Sequence, residues 1–157
     1  MMKVKNKLVE EEISIVINKD IETVFDFFCD LRNDKLWRKE INFTTANEIE
    51  LGAVAVENSY LSKRVSNYTS ELICCAYMKN ERIIYETLPD YFFLRSVRAV
   101  EFVTATATKI TYKLAFDKAI VKHGLGFDLP HFLVSLVAKS DMKKYIHGLK
   151  TILENKN

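Results

Sequence analysis

Between residues 41 and 116 the chain runs through six segments of extended character: INFTTANEI, AVAVENSYL, YTSELICCAYM, ERIIYETL, FFLRSVRAVEFV and TKITYKLAF. They are punctuated by LG at 51–52, SN at 66–67, KN at 79–80, PD at 89–90 and a Thr/Ala stretch at 104–108, the residue types that favour turns. Parallel neighbours need crossovers of a dozen or more residues, so links this short require an antiparallel meander. A further strand precedes them, because Ile13, Ile15 and Ile17 in EEISIVI alternate with partners suited to the other face, the period-2 sign of a half-buried strand.

Between this first strand and the meander, NKDIETVFDFF offers Asp20 as a helix N-cap with Thr23 three residues on, and Ile21, Val24, Phe25 and Phe28 at helical spacing. RNDKLW adds a further turn or two ending near Trp37. After the meander, a loop containing Gly124 and Gly126 leads into a helix within DLPHFLVSLVAKSDMKKYIHGLKTILE, residues 128–154. The order is therefore one strand, two short helices, six strands and one long helix. An α+β fold with the helices on one side of an antiparallel sheet buries one face of every strand. A length of 157 residues suits a single domain, 1–157. One helix cannot fill the concave side of a twisted seven-stranded sheet, so a space between helix and sheet is expected, packed by large side chains or occupied by a ligand.

Charge and motifs narrow the function classes. With 23 basic against 21 acidic residues the formal net charge is +2. No concentrated basic excess points to nucleic acid, and none is expected as a partner. The basic start MMKVKNK is followed by acids rather than an apolar run, so no secretion signal is read, and no stretch approaches the ~18 residues of a membrane span. A cytoplasmic location is expected; transient membrane contact and oligomeric state stay open. Cys29, Cys74 and Cys75 lack a CxxC spacing, and adjacent Cys74 and Cys75 in a strand point to opposite faces, which favours structural thiols over a metal site. His123, His131 and His147 form no metal motif, and neither a Gly-rich phosphate loop nor a GxSxG elbow occurs. No cofactor, metal or catalytic residue is assigned. His131, beside Pro130, is the one acid–base candidate for a pocket mouth, and His147 is read as solvated helix surface.

INKDIETVFDFFCDLRNDKLW, with Val24, Phe25 and Trp37, resembles the opening of the START-like helix-grip superfamily: a strand end, a two-turn helix and a tryptophan. LPHFLVSLV, through Pro130, Phe132, Leu133 and Val134, resembles the START approach to the last helix, and FLRSVRAVEF resembles a START strand whose second arginine, here Arg98, faces the cavity. Ser135 stands where many members have Asn, and no acid matches in position as a partner for Arg98. The resemblance covers nearly the whole chain by order of elements. It implies a seven-stranded antiparallel sheet curved around the C-terminal helix, with two short helices between strands 1 and 2. It also implies a cavity for a hydrophobic or amphipathic small molecule such as a lipid, polyketide or isoprenoid-like compound. A polyketide cyclase, aromatase or dehydratase-like enzyme using the same cavity is one alternative, and a protein-interaction module with a filled cavity is another.

Strand parity suggests which side chains line the space. In TKITYKLAF, Ile110, Tyr112, Leu114 and Phe116 face in because Lys109, Thr111 and Lys113 face out. In ERIIYETL the inner set is Ile83, Tyr85 and Thr87. In FFLRSVRAVEFV the set Leu94, Ser96, Arg98, Val100 and Phe102 buries one charge, whereas the opposite face would bury two. YTSELICCAYM has two faces too alike to separate, and in AVAVENSYL Val54, Val56, Asn58 and Tyr60 share one face. A buried guanidinium cannot shed its charge. Arg98 must therefore meet backbone carbonyls, Glu86, water, or a polar or acidic group on a ligand, unless a bulge slips the parity and turns it outside. The candidate ligand-binding residues are Trp37, Tyr60, Tyr85, Arg98, Phe102, Tyr112, Phe116, Phe132 and Leu136.

The terminal helix poses a phase problem. At ~100° per residue, Met142, Tyr145, Ile146, Leu149, Ile152 and Leu153 gather on one side, while Leu129, Phe132, Leu133, Leu136 and Val137 gather opposite, with the change at AKSD. Three explanations stand. The helix breaks there, with Ser140 or Asp141 capping a new start; or both sides of its first half are covered, one of them by the 120s loop; or the first half is a lid over the cavity mouth, hinged at AKSD.

Overall fold

A computed structural model describes residues 8–156; the basic stretch at the N-terminus read for a secretion signal lies outside them. β1 (Leu8–Ile17) leads to α1 (Ile21–Phe28), a 3-10 helix (Leu31–Leu36), and the meander β2 (Ile41–Thr45), β3 (Val54–Ser59), β4 (Tyr68–Met78), β5 (Arg82–Thr87), β6 (Leu94–Thr104) and β7 (Ala107–Asp117). A short helix, α2 (Ala119–Leu125), and the long α3 (His131–Glu154) complete the chain. The sheet order is β1-β7-β6-β5-β4-β3-β2 with every pair antiparallel. β1 thus closes the meander by pairing with its last strand.

Local chemistry explains the short elements. Asp20 caps α1 by accepting from the Thr23 backbone N–H at 3.0 Å and from Thr23 Oγ1 at 2.9 Å, as its spacing predicts. Asp30 caps the 3-10 helix through the Arg32 N–H. The 119–125 segment, expected as loop, is helical. It ends at Gly126, whose φ of 84° is the left-handed conformation that favours glycine at a helix C-terminus.

The expected parities hold on β5, on β7 and on β6 as far as Val100, where Ile83, Tyr85, Ser96, Arg98, Val100, Ile110, Tyr112 and Phe116 are buried; Phe102, expected on the same inner face of β6, is exposed. Strand β4 explains its own ambiguity. A bulge between Cys74 and Ala76 reverses the alternation, so Ser70, Leu72 and Cys74 face in before it while Tyr77, after it, packs edge-on against Phe25 at 5.9 Å. Cys74 is buried and Cys75 exposed, on opposite faces as expected. On β3 the inward set is Ala55, Glu57 and Ser59, so Val54 and Val56 turn away from the cavity.

Helix α3 is continuous from His131 to Glu154, which removes the break and the new cap at Ser140 or Asp141. Its sheet-facing stripe does not change sides. Val134, Ala138, Met142, Ile146, Leu149 and Leu153 follow one another at steps of three and four, the spacing of a single helical face. The opposite side of the first half is not covered either: Phe132 and Leu136 are each 63% exposed and Leu133 is exposed beside them. The apparent change of phase comes from surplus apolar residues on the outer face of that half. β1 carries the helix, with Ser135 Oγ donating to Glu11 Oε1 at 2.7 Å and Lys150 Nζ donating to the Val16 carbonyl at 2.6 Å.

Candidate functional site

The buried residues form two groups rather than one. The larger gathers α1, the 3-10 helix, the middle of the sheet and the second half of α3; the smaller is centred on Val9, Phe116 and Val134 beside α2 and the first half of α3. A cavity of about 350 Å3 borders both, within the size range of small-molecule sites. Its apolar wall comes from Leu94 and Leu114 on the sheet, Ile120 and Val121 on α2, and Val134 and Val137 on α3. α2 forms a side of the enclosure because it docks on the 60s loop. There Ser62 Oγ donates to the Gly124 carbonyl at 2.5 Å, and a Cβ at Gly124 would come within 3.1 Å of Leu61 Cβ.

The polar part of the lining includes Arg38, Glu40, Glu57, Tyr112, Asp141 and Tyr145. Behind it lies a chain of buried charges. Asp34 and Arg98 are both fully buried, and Arg98 holds Asp34 with two parallel bonds, Nη1 to Oδ1 at 2.8 Å and Nη2 to Oδ2 at 2.6 Å, the fork geometry that makes such pairs strong. Arg98 Nη1 also donates to the Phe28 carbonyl at 2.8 Å. Its guanidinium carbon lies 5.1 Å from the Trp37 ring centre and 5.6 Å from those of Phe28 and Tyr112, a cation–π arrangement. Burial alone would lower the Arg98 pKa, but Asp34 more than offsets it and the group stays above its ordinary value.

Arg38 extends the chain to the cavity. Its Nη1 donates to Asp34 Oδ2 at 2.9 Å and Glu57 Oε2 at 3.2 Å, and its Nε to Glu40 Oε1 at 3.0 Å. Burial pushes the Tyr145 hydroxyl pKa up, and the neighbouring Glu40 carboxylate pushes it further. Asp141 is likewise raised, first by partial burial, with Lys144 opposing and Glu40 adding to the rise.

Of the residues singled out from sequence, Tyr60, Tyr112 and Phe116 line the cavity. The other six stand elsewhere. Trp37 and Arg98 are buried behind the wall, Arg98 consumed by Asp34 rather than by Glu86, which pairs with Arg95 at 3.3 Å. Tyr85 is buried on β5 with its hydroxyl shielded and unbonded. Phe102 is 63% exposed at the end of β6, where the register shifts before Thr104. Phe132 and Leu136 lie on the outer face of α3. His131 is exposed, its Nε2 bonded to the Leu8 carbonyl at 3.0 Å, and does not line the cavity. His147 is exposed on α3, its Nδ1 2.9 Å from the Lys143 carbonyl.

Sequence reading missed Asp34, Arg38, Glu40, Glu57 and Tyr145. A signal was available for the first two: Asp34 and Arg38 stand four apart in RNDKLWRKE, a spacing that pairs side chains on a helical turn. Glu57 carried none, since an acid on a strand is ordinarily assigned to solvent.

An antiparallel seven-stranded sheet closed by a long terminal helix recurs in solved structures. A START superfamily protein from Mycobacterium smegmatis superposes with a TM-score of 0.73 over 92% of this chain and 97% of its own, at 11% identity. The chain has the START-like helix-grip fold. The helix-grip likeness extends to the Zhui aromatase/cyclase from a Streptomyces species, at TM-score 0.69 and 14% identity over 94% of each chain. It extends also to the di-domain aromatase/cyclase StfQ of the steffimycin biosynthetic pathway, at TM-score 0.72 and 8% identity, where 98% of this chain covers 53% of that one. No protein-family model matches the sequence, and no curated protein matches it. Among the described residues no helix is long and apolar enough to cross a membrane, and no group of His, Cys, Asp and Glu side chains is arranged to hold a metal ion.

Proposed function

We propose that this helix-grip domain binds a hydrophobic or amphipathic small molecule in the cavity between the sheet and α3, as a carrier or sensor rather than as an enzyme. The observation that carries this reading is the cavity itself: about 350 Å3 with an apolar wall at one end and a few fixed polar groups at the other, the composition that ligand sites use for affinity and orientation. A side-chain-filled interior, the condition for a pure interaction module, is at odds with that volume. Cyclase chemistry of the kind named for the Streptomyces neighbour has weaker support. Arg98, the residue that would polarise a carbonyl, is bonded to Asp34 and shielded from the cavity, and none of the three histidines lines it.

The test is native mass spectrometry of the purified protein and organic extraction of whatever travels with it, followed by titration of the apolar fluorophore N-phenylnaphthylamine. Stoichiometric, saturable binding is expected, and Leu114→Trp, which places an indole in the cavity, is expected to abolish it. Binding unaffected by that substitution overturns the assignment of the cavity, and conversion of a bound compound on incubation favours the enzyme.

A further inference from the structure

We propose that the polar end of the cavity selects a ligand whose head is a hydrogen-bond donor carrying positive charge, a protonated amine on an apolar body, and rejects a carboxylate on the same body. This rests on the ligand-binding reading above and goes further by fixing the chemistry of the head.

The cavity supplies the site, and the charges around it decide what enters. Two arginines, Arg38 and Arg98, face three carboxylates, Asp34, Glu40 and Glu57, in one bonded network, and Asp141 adds a fourth carboxylate to the cavity wall. Formal charge at this end is therefore negative. Hydrogen-bonding capacity leans the same way. Arg38 is committed at Nε, Nη1 and Nη2 to Glu40, Asp34 and Glu57, and Arg98 is fully buried behind it. An incoming carboxylate would have to displace a carboxylate already bonded to Arg38, in a place where charges are poorly screened. Acceptor capacity, by contrast, is left over: the half-buried Asp141 carboxylate lines the cavity and accepts no side-chain or ion-pair hydrogen bond among the described residues. An ammonium group has three donors and no acceptor, so it matches both the charge and the spare lone pairs. A neutral alcohol satisfies only the second condition and ranks between.

The experiment uses four probes sharing one aromatic body, titrated by calorimetry at neutral pH: naphthylethylamine, naphthylethanol, naphthylacetic acid and the headless ethylnaphthalene. The amine is expected to bind at least tenfold more tightly than the acid, with the alcohol between them. In the double variant Glu40→Gln with Asp141→Asn, the ratio of amine to acid affinity is expected to fall below threefold; being a ratio within one protein, it does not depend on any change in overall affinity. An amine preference under tenfold, with ethylnaphthalene bound, overturns the head-group assignment and leaves the cavity reading standing. A tenfold preference that survives the double variant overturns the role given to those carboxylates. Failure of all four probes to bind overturns the proposed function and this inference with it. Should the double variant not fold, the probe series on the native protein decides the matter alone.

Discussion

Replacing Arg98 separates a structural role from a ligand-recognition role. Arg98 and Asp34 are each fully buried and joined by two bonds of 2.8 and 2.6 Å. Removing one member of a buried pair typically costs ~3–5 kcal/mol, because the survivor is left as an uncompensated charge. Arg98→Met falls at the lower end, ~3 kcal/mol, since Asp34 keeps Arg38 Nη1 at 2.9 Å. Asp34→Asn falls at or above the upper end, since it strips the countercharge from Arg98, which retains only the Phe28 carbonyl, a long contact to Ser96 Oγ and three aromatic rings. At ~2–4 °C per kcal/mol for a chain of this size, the two variants lose roughly 6 °C or more and 10 °C or more in Tm. The double variant Arg98→Met with Asp34→Asn leaves neither charge of the pair buried and is expected to be more stable than Asp34→Asn alone. Urea unfolding followed by circular dichroism and Trp37 fluorescence measures all three. Loss of under ~1 kcal/mol in Arg98→Met, or a double variant less stable than Asp34→Asn, refutes the reasoning and returns Arg98 to candidacy as a ligand group.

Two further outcomes are expected. Asp20→Ala loses ~1 kcal/mol of stability through its cap. The Thr23 hydrogen bonds hold the Asp20 carboxyl below its ordinary pKa, so this contribution is present above the usual aspartate value of ~3.9 and fades as pH falls through the lower folded value; urea midpoints of the wild type and variant should converge toward acid pH, and a gap that widens there contradicts the cap. Among the three thiols only Cys75 is exposed, so a thiol reagent should modify one cysteine in the native protein and three after denaturation, with peptide mapping locating the first at Cys75. Its pKa is raised, chiefly by partial burial, so labelling should be slow at neutral pH and quicken as pH rises.

How far the sequence could be read depended on whether one residue's neighbours along the chain determined its surroundings. Alternation in TKITYKLAF and ERIIYETL placed Tyr112, Phe116 and Ile83 on the inner face, and the Asp20–Thr23 spacing placed the cap of α1, because those are short-range consequences of the backbone. Parity failed to resolve β4, where the bulge after Cys74 inserts a residue that no local pattern announces. In α3 the phase misled for a different reason. Hydrophobicity identifies side chains able to be buried, and Phe132 and Leu136 are of that kind, but the sheet meets the helix along Val134, Ala138 and Met142 and leaves the larger residues outside.

Three of the nine candidate site residues line the cavity for the same reason: facing inward is a property of a strand, whereas bordering a void depends on what stands opposite. The sequence by itself determined the seven strands, their antiparallel pairing, the two short helices before the meander and the long one that ends the chain, all set by periodicity and short links, and it put Arg98 on the preferred inner parity of its strand. Only the tertiary structure decided that Asp34, 64 residues away, neutralises Arg98, and that Arg38 links this pair to Glu40 and Glu57 at the cavity wall. Electrostatic partners are chosen by distance in space, and the curvature of the sheet brings those distances about.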